Sequence, residues 1–238
     1  MTRRPRGPAS SALRQGIVDS VPLGIALAPV ALALGYLAHT VGLSWWLMGL
    51  MSAVVYAGPS QFIAMGLVAT GAATPAIVAT TLVVNLRYTL FAASLAPHMR
   101  DAPGWRLAPL AHGLADGSYA ITIDHAREHP ESPRKDLYLL GSFIVSFGIW
   151  VPGSVLGVLA GDVLPATLAF GLGFATPAVF IALLVPFVRD RVSLVVMLVA
   201  GLGTVVGNEY LPTGAGPLVA IVAASILGGA LLSRRAPR

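Results

Sequence analysis

The chain has no cysteine and a single lysine, Lys135. The first absence removes disulfides, thiolate nucleophiles and sulfur metal sites. The second, with no glycine-rich phosphate loop ahead of Lys135, removes ATP binding and hydrolysis by this chain alone. Charge is scarce as well: Asp, Glu, Lys and Arg make up 11% of 238 residues, against about a quarter in soluble domains. Hydrophobic residues make up 56% and mean hydropathy is +0.79, which argues against a water-soluble globular fold. Eight membrane spans of about 20 residues each would use about 160 residues and leave only short loops, so no second, soluble domain fits. Fifteen basic residues outnumber ten acidic ones. They gather at the chain ends and in a few loops, which reads as membrane topology and not as a nucleic-acid surface.

Apolar runs separated by polar or Gly/Pro breaks fall at 17–38, 43–69, 73–97, 107–124, 137–160, 163–188, 192–207 and 214–233. They predict an all-α polytopic membrane protein of about eight transmembrane helices, a single transport domain over 1–238 embedded in the lipid bilayer. The fourth run carries His112, Asp116, Ser118 and Thr122. It must pack inside a bundle if it crosses, and its alternative is a re-entrant or surface helix. If all eight cross from a cytoplasmic N-terminus, the inner side holds Arg3, Arg4, Arg6, Arg14, Arg127, Arg134, Lys135, Arg189, Arg191, Arg234, Arg235 and Arg238. The outer loops then keep only Arg100 and Arg106. This bias predicts the cytoplasmic (inner) membrane with both termini cytoplasmic. The N-terminal arginines followed by an apolar run imitate a signal peptide, but the run is too long, and Asp19 and Pro22 interrupt its start.

Sliding the chain against itself by 118 residues aligns the stretch Tyr56 to Met65 with Phe174 to Leu183 and sets Gly35 on Gly153. Paired Gly/Pro interruptions of this kind predict two related halves, 16–125 and 137–233, with broken helices near the bilayer midplane, the pattern of secondary transporters. With eight crossings the repeat is parallel. An inverted repeat requires the fourth run not to cross.

Arg87 lies in Val84-Asn85-Leu86-Arg87-Tyr88-Thr89 with apolar sequence on both sides, too deep for easy snorkelling and costly unless paired. It is read either as a counter-charge for a substrate carboxylate or for Asp116, or as a structural arginine holding helix ends. Asn85 is placed to satisfy backbone groups at a helix break. Tyr56, Gly58, Pro59 and Gln61 mark a break in the second run, where proline removes a donor and glycine permits close approach. Half-helix ends at such breaks suit a zwitterion, an N-terminus attracting carboxylate and a C-terminus ammonium. Asp116, an acidic group inside the fourth run, is the coupling candidate: it can bind a proton, pair with Arg87 or face a substrate ammonium. Its turn neighbour His112 is read as packing or as a proton-relay partner. Asp19, Asp162 and Glu209 sit at predicted helix ends and loops and are not assigned. His125-Ala126-Arg127-Glu128-His129 matches H-x-x-E-H formally, but Pro130 follows at once and no third ligand is evident. No metal, cofactor or catalytic residue set is expected. Trp45 and Trp46 read as an interfacial belt.

Gly42-Leu43-Ser44, Met51-Ser52, Tyr56-Ala57-Gly58, Gln61-Phe62, Gly71-Ala72, Asn85-Leu86-Arg87 and Ser94-Leu95-Ala96-Pro97 stand in order and spacing that resemble the AzlC family, the large subunit of branched-chain amino acid exporters. The specific part of the resemblance covers residues 16–120. Two departures stand out: Tyr88 follows Asn-Leu-Arg where the family usually has His, and Leu114-Ala115-Asp116-Gly117 replaces the frequent Leu-Thr-Asp-Glu. The resemblance implies export of leucine, isoleucine, valine and methionine from the cytoplasm, with a small hydrophobic AzlD-like subunit. It carries over Tyr56, Gly58, Pro59, Gln61, Asn85 and Arg87 as the substrate region. The missing second carboxylate puts the family's pattern of proton coupling in doubt. The residues alone leave open a transporter or channel for another small solute.

Overall fold

A computed structural model describes residues 9–100, 102–163, 190–211 and 215–233, with three isolated positions between 181 and 188. Its helices are α1 Ala9–Thr40, α2 Trp45–Val55, α3 Gly58–Ala69, α4 Thr74–Asn85, α5 Arg87–Leu95 followed by a 3-10 turn Ala96–His98, α6 Gly104–His112, α7 Asp116–Glu128, α8 Lys135–Ala160, α9 Arg191–Tyr210 and α10 Ala215–Ser233. Among the described residues four helical stretches are long and apolar enough to cross a membrane: Ser11–Thr40, Thr74–His98, Lys135–Ala160 and Arg191–Tyr210. The second of these joins α4 to α5. Leu86 keeps helical angles, φ −54 and ψ −24, and its N–H still reaches Leu82 and Val83. At the break expected at Asn85 the chain thus keeps its helical course through Leu86. The sixth apolar run, 163–188, and with it the second copy of the repeat, lies outside the described residues.

The α1–α8 pair gives the molecule its axis. Gly16 packs on Tyr138, Gly24 on Val145 and Ile149, Ala31 on Gly153, and Gly35 on Gly157. The two series of numbers rise together, so the helices run parallel. A methyl at Gly35 or Gly157 would collide with the backbone of the opposite helix, so small side chains are what let the two backbones touch. The Tyr138 hydroxyl also donates to Asp19 Oδ2 at 2.9 Å across this seam.

Height along α8 places the remaining elements. α2 starts beside the C-terminal half of α8, with Gly49 on Val155 and Ser52 on Ser154, and α3 starts lower, with Gly58 on Trp150. After α5, residues His98, Met99 and Ala102 surround a small polar pocket together with Ser132, Arg134, Lys135 and Asp136. The stretch Thr74–His98 therefore ends beside the start of α8 and runs antiparallel to it. Its own start must then lie at the opposite end, where Ile77 packs into the core of Ala38, Met48 and Val158. The connecting helix α3 thus returns to the end from which α2 came, and α2–α3 is a re-entrant hairpin with its tip at Tyr56–Ala57.

The fourth apolar run does the same from the other side. Arg106 at the start of α6 reaches Asp136 at 3.5 Å, and Gly113 at its end meets Phe143. α7 then climbs back from Gly117 against Leu23 to His125 stacked on Tyr138. Of the eight expected crossings, run 43–69 is thus replaced by a folded-back hairpin, and run 107–124 takes the re-entrant course that was its alternative to crossing, the two entering from opposite ends. Arg100 and Arg106, expected on the outer side, lie at the same end as Arg134 and Lys135. Hydropathy measures apolar length and not direction. A run of two half-helices therefore has the composition of one full span.

Each hairpin carries its own core. Leu34, Ala38, Met48, Tyr56, Phe62, Met65 and Trp150 fill the end occupied by α2–α3, whereas Leu95, Met99, Leu110, Leu114, Ile123 and Leu139 fill the end occupied by α6–α7. α9 and α10 form an antiparallel pair, with Val196 on Gly228, Gly203 on Ala220 and Gly207 on Gly216.

Candidate functional site

Where the two tips meet, midway along α1 and α8, lies a cavity of about 380 Å³, within the range of about 300–1,000 Å³ usual for small-molecule sites. Its walls come from four sources. Leu23, Ala26, Leu27 and Val30 of α1 make an apolar side, and Ser146 and Trp150 of α8 face it. Tyr56, Gly58, Pro59 and Phe62 come from the first tip, Ala115, Asp116, Gly117 and Ser118 from the second. The first turns of α3 and α7 therefore both open on the cavity. Free backbone N–H groups and the positive dipole end favour negative charge at such places.

The first tip is shaped by an unusual backbone. Tyr56 takes the left-handed conformation, φ 35 and ψ 50, which costs a non-glycine residue about 1–3 kcal/mol. Surrounding contacts hold it there: its ring packs on Phe143 and Phe147 at centroid distances of 5.6 and 5.2 Å and tilts on His112 at 6.0 Å. α3 then begins with Gly58 and Pro59, a position where the missing proline N–H leaves no helix bond unmade. The second tip is tied by Ser118. Its hydroxyl accepts the Ala115 N–H at 2.9 Å and donates to the Gly113 carbonyl at 2.6 Å. His112 Nε2 and the Ala53 carbonyl, 2.8 Å apart, link one tip to the other.

Arg87 stands behind the second tip. Its Nη2 donates to Asp116 Oδ2 at 2.8 Å and to the Tyr88 hydroxyl at 3.1 Å, and that hydroxyl lies 3.4 Å from Asp116 Oδ2. The guanidinium also lies 5.0 Å from the centre of the Tyr88 ring. Arg87 Nε is buried without a partner, as is Asn85 Oδ1. Both members of the ion pair are about one third open, Arg87 28% and Asp116 33%, so the attraction is weaker than in a sealed interior.

Of the six candidate substrate residues, the structure brings Tyr56, Gly58 and Pro59 to the cavity wall, with Asp116 opposite. Arg87 reaches the wall only through Asp116, and Asn85 does not border the cavity. Gln61 is fully buried and spends both ends of its amide on protein: Nε2 donates to Ser52 Oγ at 3.1 Å, and Oε1 accepts from Trp150 Nε1 at 2.9 Å. It is therefore a tie behind the wall. Trp150 and the α1 face were not singled out in the sequence. An indole N–H in the middle of an apolar run, away from either interface, was the signal available, since such a group needs a partner. His125, of the H-x-x-E-H stretch, pairs with Ser132 Oγ at 3.2 Å, and no group of three or more His, Asp or Glu side chains suited to a metal occurs among the described residues.

The model of the AzlC protein family matches residues 22–164. An uncharacterized membrane protein of Archaeoglobus fulgidus is 31% identical over 185 residues, 76% of this chain and 78% of its own. The inner membrane protein YgaZ of Escherichia coli is 30% identical over 198 residues, 79% of this chain and 78% of its own. The branched-chain amino acid transport protein AzlC of Bacillus subtilis is 24% identical over 176 residues, 74% of this chain and 67% of its own. No solved structure matches the chain.

Proposed function

The chain belongs to the AzlC family, and from this premise we propose that it is a secondary transporter of the cytoplasmic membrane that exports leucine, isoleucine, valine and methionine. The observation that carries the reading is the cavity between the two tips, a polar end facing an apolar wall. The amino acid's carboxylate lies at the first turn of α3, where free N–H groups and the helix dipole favour it. Its ammonium faces Asp116, and its side chain lies on Leu23, Leu27 and Val30. The name of the Bacillus subtilis relative, a branched-chain amino acid transport protein, supports the substrate class.

Coupling follows from the same carboxylate. In the present geometry Arg87 neutralises Asp116 at 2.8 Å. A proton taken up by Asp116 from outside weakens its hold on the substrate ammonium, and its return to the inside re-forms the pair. Proton entry thereby drives amino acid exit. The end that gathers Arg14, Arg100, Arg106, Arg134 and Lys135 is cytoplasmic by the positive-inside rule, and a small hydrophobic AzlD-like subunit completes the transporter.

The test is efflux. Cells loaded with peptides of leucine, valine or methionine express the chain with and without its small hydrophobic partner, alongside Arg87→Ala. Faster efflux that needs both subunits and falls to background in the variant is expected. Unchanged pools from well-expressed, membrane-inserted protein would refute the reading.

A further inference from the structure

We propose that Trp150 sets the upper size of the transported side chain, and that Gln61, Ser52 and Ser154 hold it in place. The inference rests on the amino-acid export reading and goes on to ask which side chains pass. Trp150 is 5% exposed and lines the same cavity as Leu23, Ala26, Leu27 and Val30 of α1. Its six-membered ring lies so close to Gly58 that a methyl there would stand 3.0 Å from Cη2. Glycine at position 58 is what lets the indole reach this depth.

Polar ties fix the ring against rotation. Trp150 Nε1 donates to Gln61 Oε1 at 2.9 Å, Gln61 Nε2 donates to Ser52 Oγ at 3.1 Å, and Ser52 Oγ lies 2.8 Å from Ser154 Oγ. Gln61, Ser52 and Ser154 are all fully buried, so none of these bonds competes with water. The chain of bonds starts on α8, passes through α3 and α2 and returns to α8 one turn beyond Trp150. A branched aliphatic side chain whose charged end is held at the tips meets a wall that does not yield. A hydrophobic pocket discriminates mainly by the volume it refuses, about 10–200-fold for a methylene-sized difference. Trp150 is thus a specificity-determining residue, and Gln61 is a positioning residue that acts through it.

The experiment compares leucine and phenylalanine efflux from cells loaded with the corresponding dipeptides, in the full transporter with its partner subunit. Trp150→Leu is expected to raise the phenylalanine-to-leucine ratio about tenfold while leucine still leaves. Gln61→Leu is expected to raise the same ratio to a smaller extent, with a raised apparent KM for leucine at a preserved maximal rate. Removing both partners of the indole bond in Gln61→Leu/Trp150→Phe avoids a buried unpaired donor, and this pair decides the matter if Trp150→Leu fails to accumulate. A ratio unchanged in variants that still export leucine overturns the assignment of Trp150. No leucine export from the unsubstituted transporter overturns instead the amino-acid reading beneath it.

Discussion

Arg87 and Asp116 hold each other at 2.8 Å, and each is a liability without the other. Leaving one charge of a fully buried pair unpartnered costs about 3–5 kcal/mol. Here both groups are about one third open, so solvent screening lowers the cost. Asp116→Asn and Arg87→Ala are each expected to destabilise the purified protein and abolish export. The double variant is expected to melt above either single variant while still failing to export, as read by thermal unfolding in detergent and by leucine efflux. Strictly additive losses would show that the two residues act apart. The meeting of these two residues was one of the readings open from the sequence, because an arginine and an aspartate in apolar runs each demand a partner. The fate of Gln61 was not legible, since Trp150, which takes its carbonyl, stands 89 positions away and no local spacing joins them.

Apolar length located four of the helices: runs 17–38, 137–160, 192–207 and 214–233 correspond to Ala9–Thr40, Lys135–Ala160, Arg191–Tyr210 and Ala215–Ser233. Direction was the part that length does not encode. The second run had a readable break at Tyr56 to Pro59 and the fourth a readable polarity at His112 and Asp116, yet both fit a crossing helix as well as a hairpin. Contacts between distant residues, such as Arg106 with Asp136, decide between them. A chain with no cysteine allows a direct check with single cysteines and a membrane-impermeant thiol reagent. Gly104→Cys and Pro133→Cys are expected to react only from the cytoplasmic face, and Ala73→Cys only from the opposite face. Eight simple crossings would reverse the labelling at 73 and 104. The α1–α8 seam invites a second check. Gly35→Leu drives a side chain into the backbone of α8, and overpacking of this kind costs about 1–3 kcal/mol or more. A lowered unfolding temperature with early aggregation is the expected readout, and a protein as stable as the parent would mean that the helices part easily.

At the scale of the whole molecule, the packing sets a close glycine seam between α1 and α8 beside two hairpins that meet tip to tip. α1 and α8 touch through glycines along much of their length, leaving little freedom to slide. The hairpin tips, by contrast, meet through few bonds, chiefly the His112 and Ala53 contact at 2.8 Å and the ring of Tyr56. Each closes the cavity from one end. On the transport reading proposed above, alternating access would have the tips part in turn while the seam stays closed, since a cavity open to both ends at once would leak. Cross-linking separates the two parts. Joining Ala31→Cys to Gly153→Cys within the seam is expected to leave leucine efflux intact. Joining Ala53→Cys to His112→Cys with a short bis-methanethiosulfonate, which links the two thiols through disulfides, is expected to stop it, with recovery to the unlinked rate on reduction. Efflux that stopped with the seam link and persisted with the tip link would assign the motion to α1 and α8, making the hairpins passive walls.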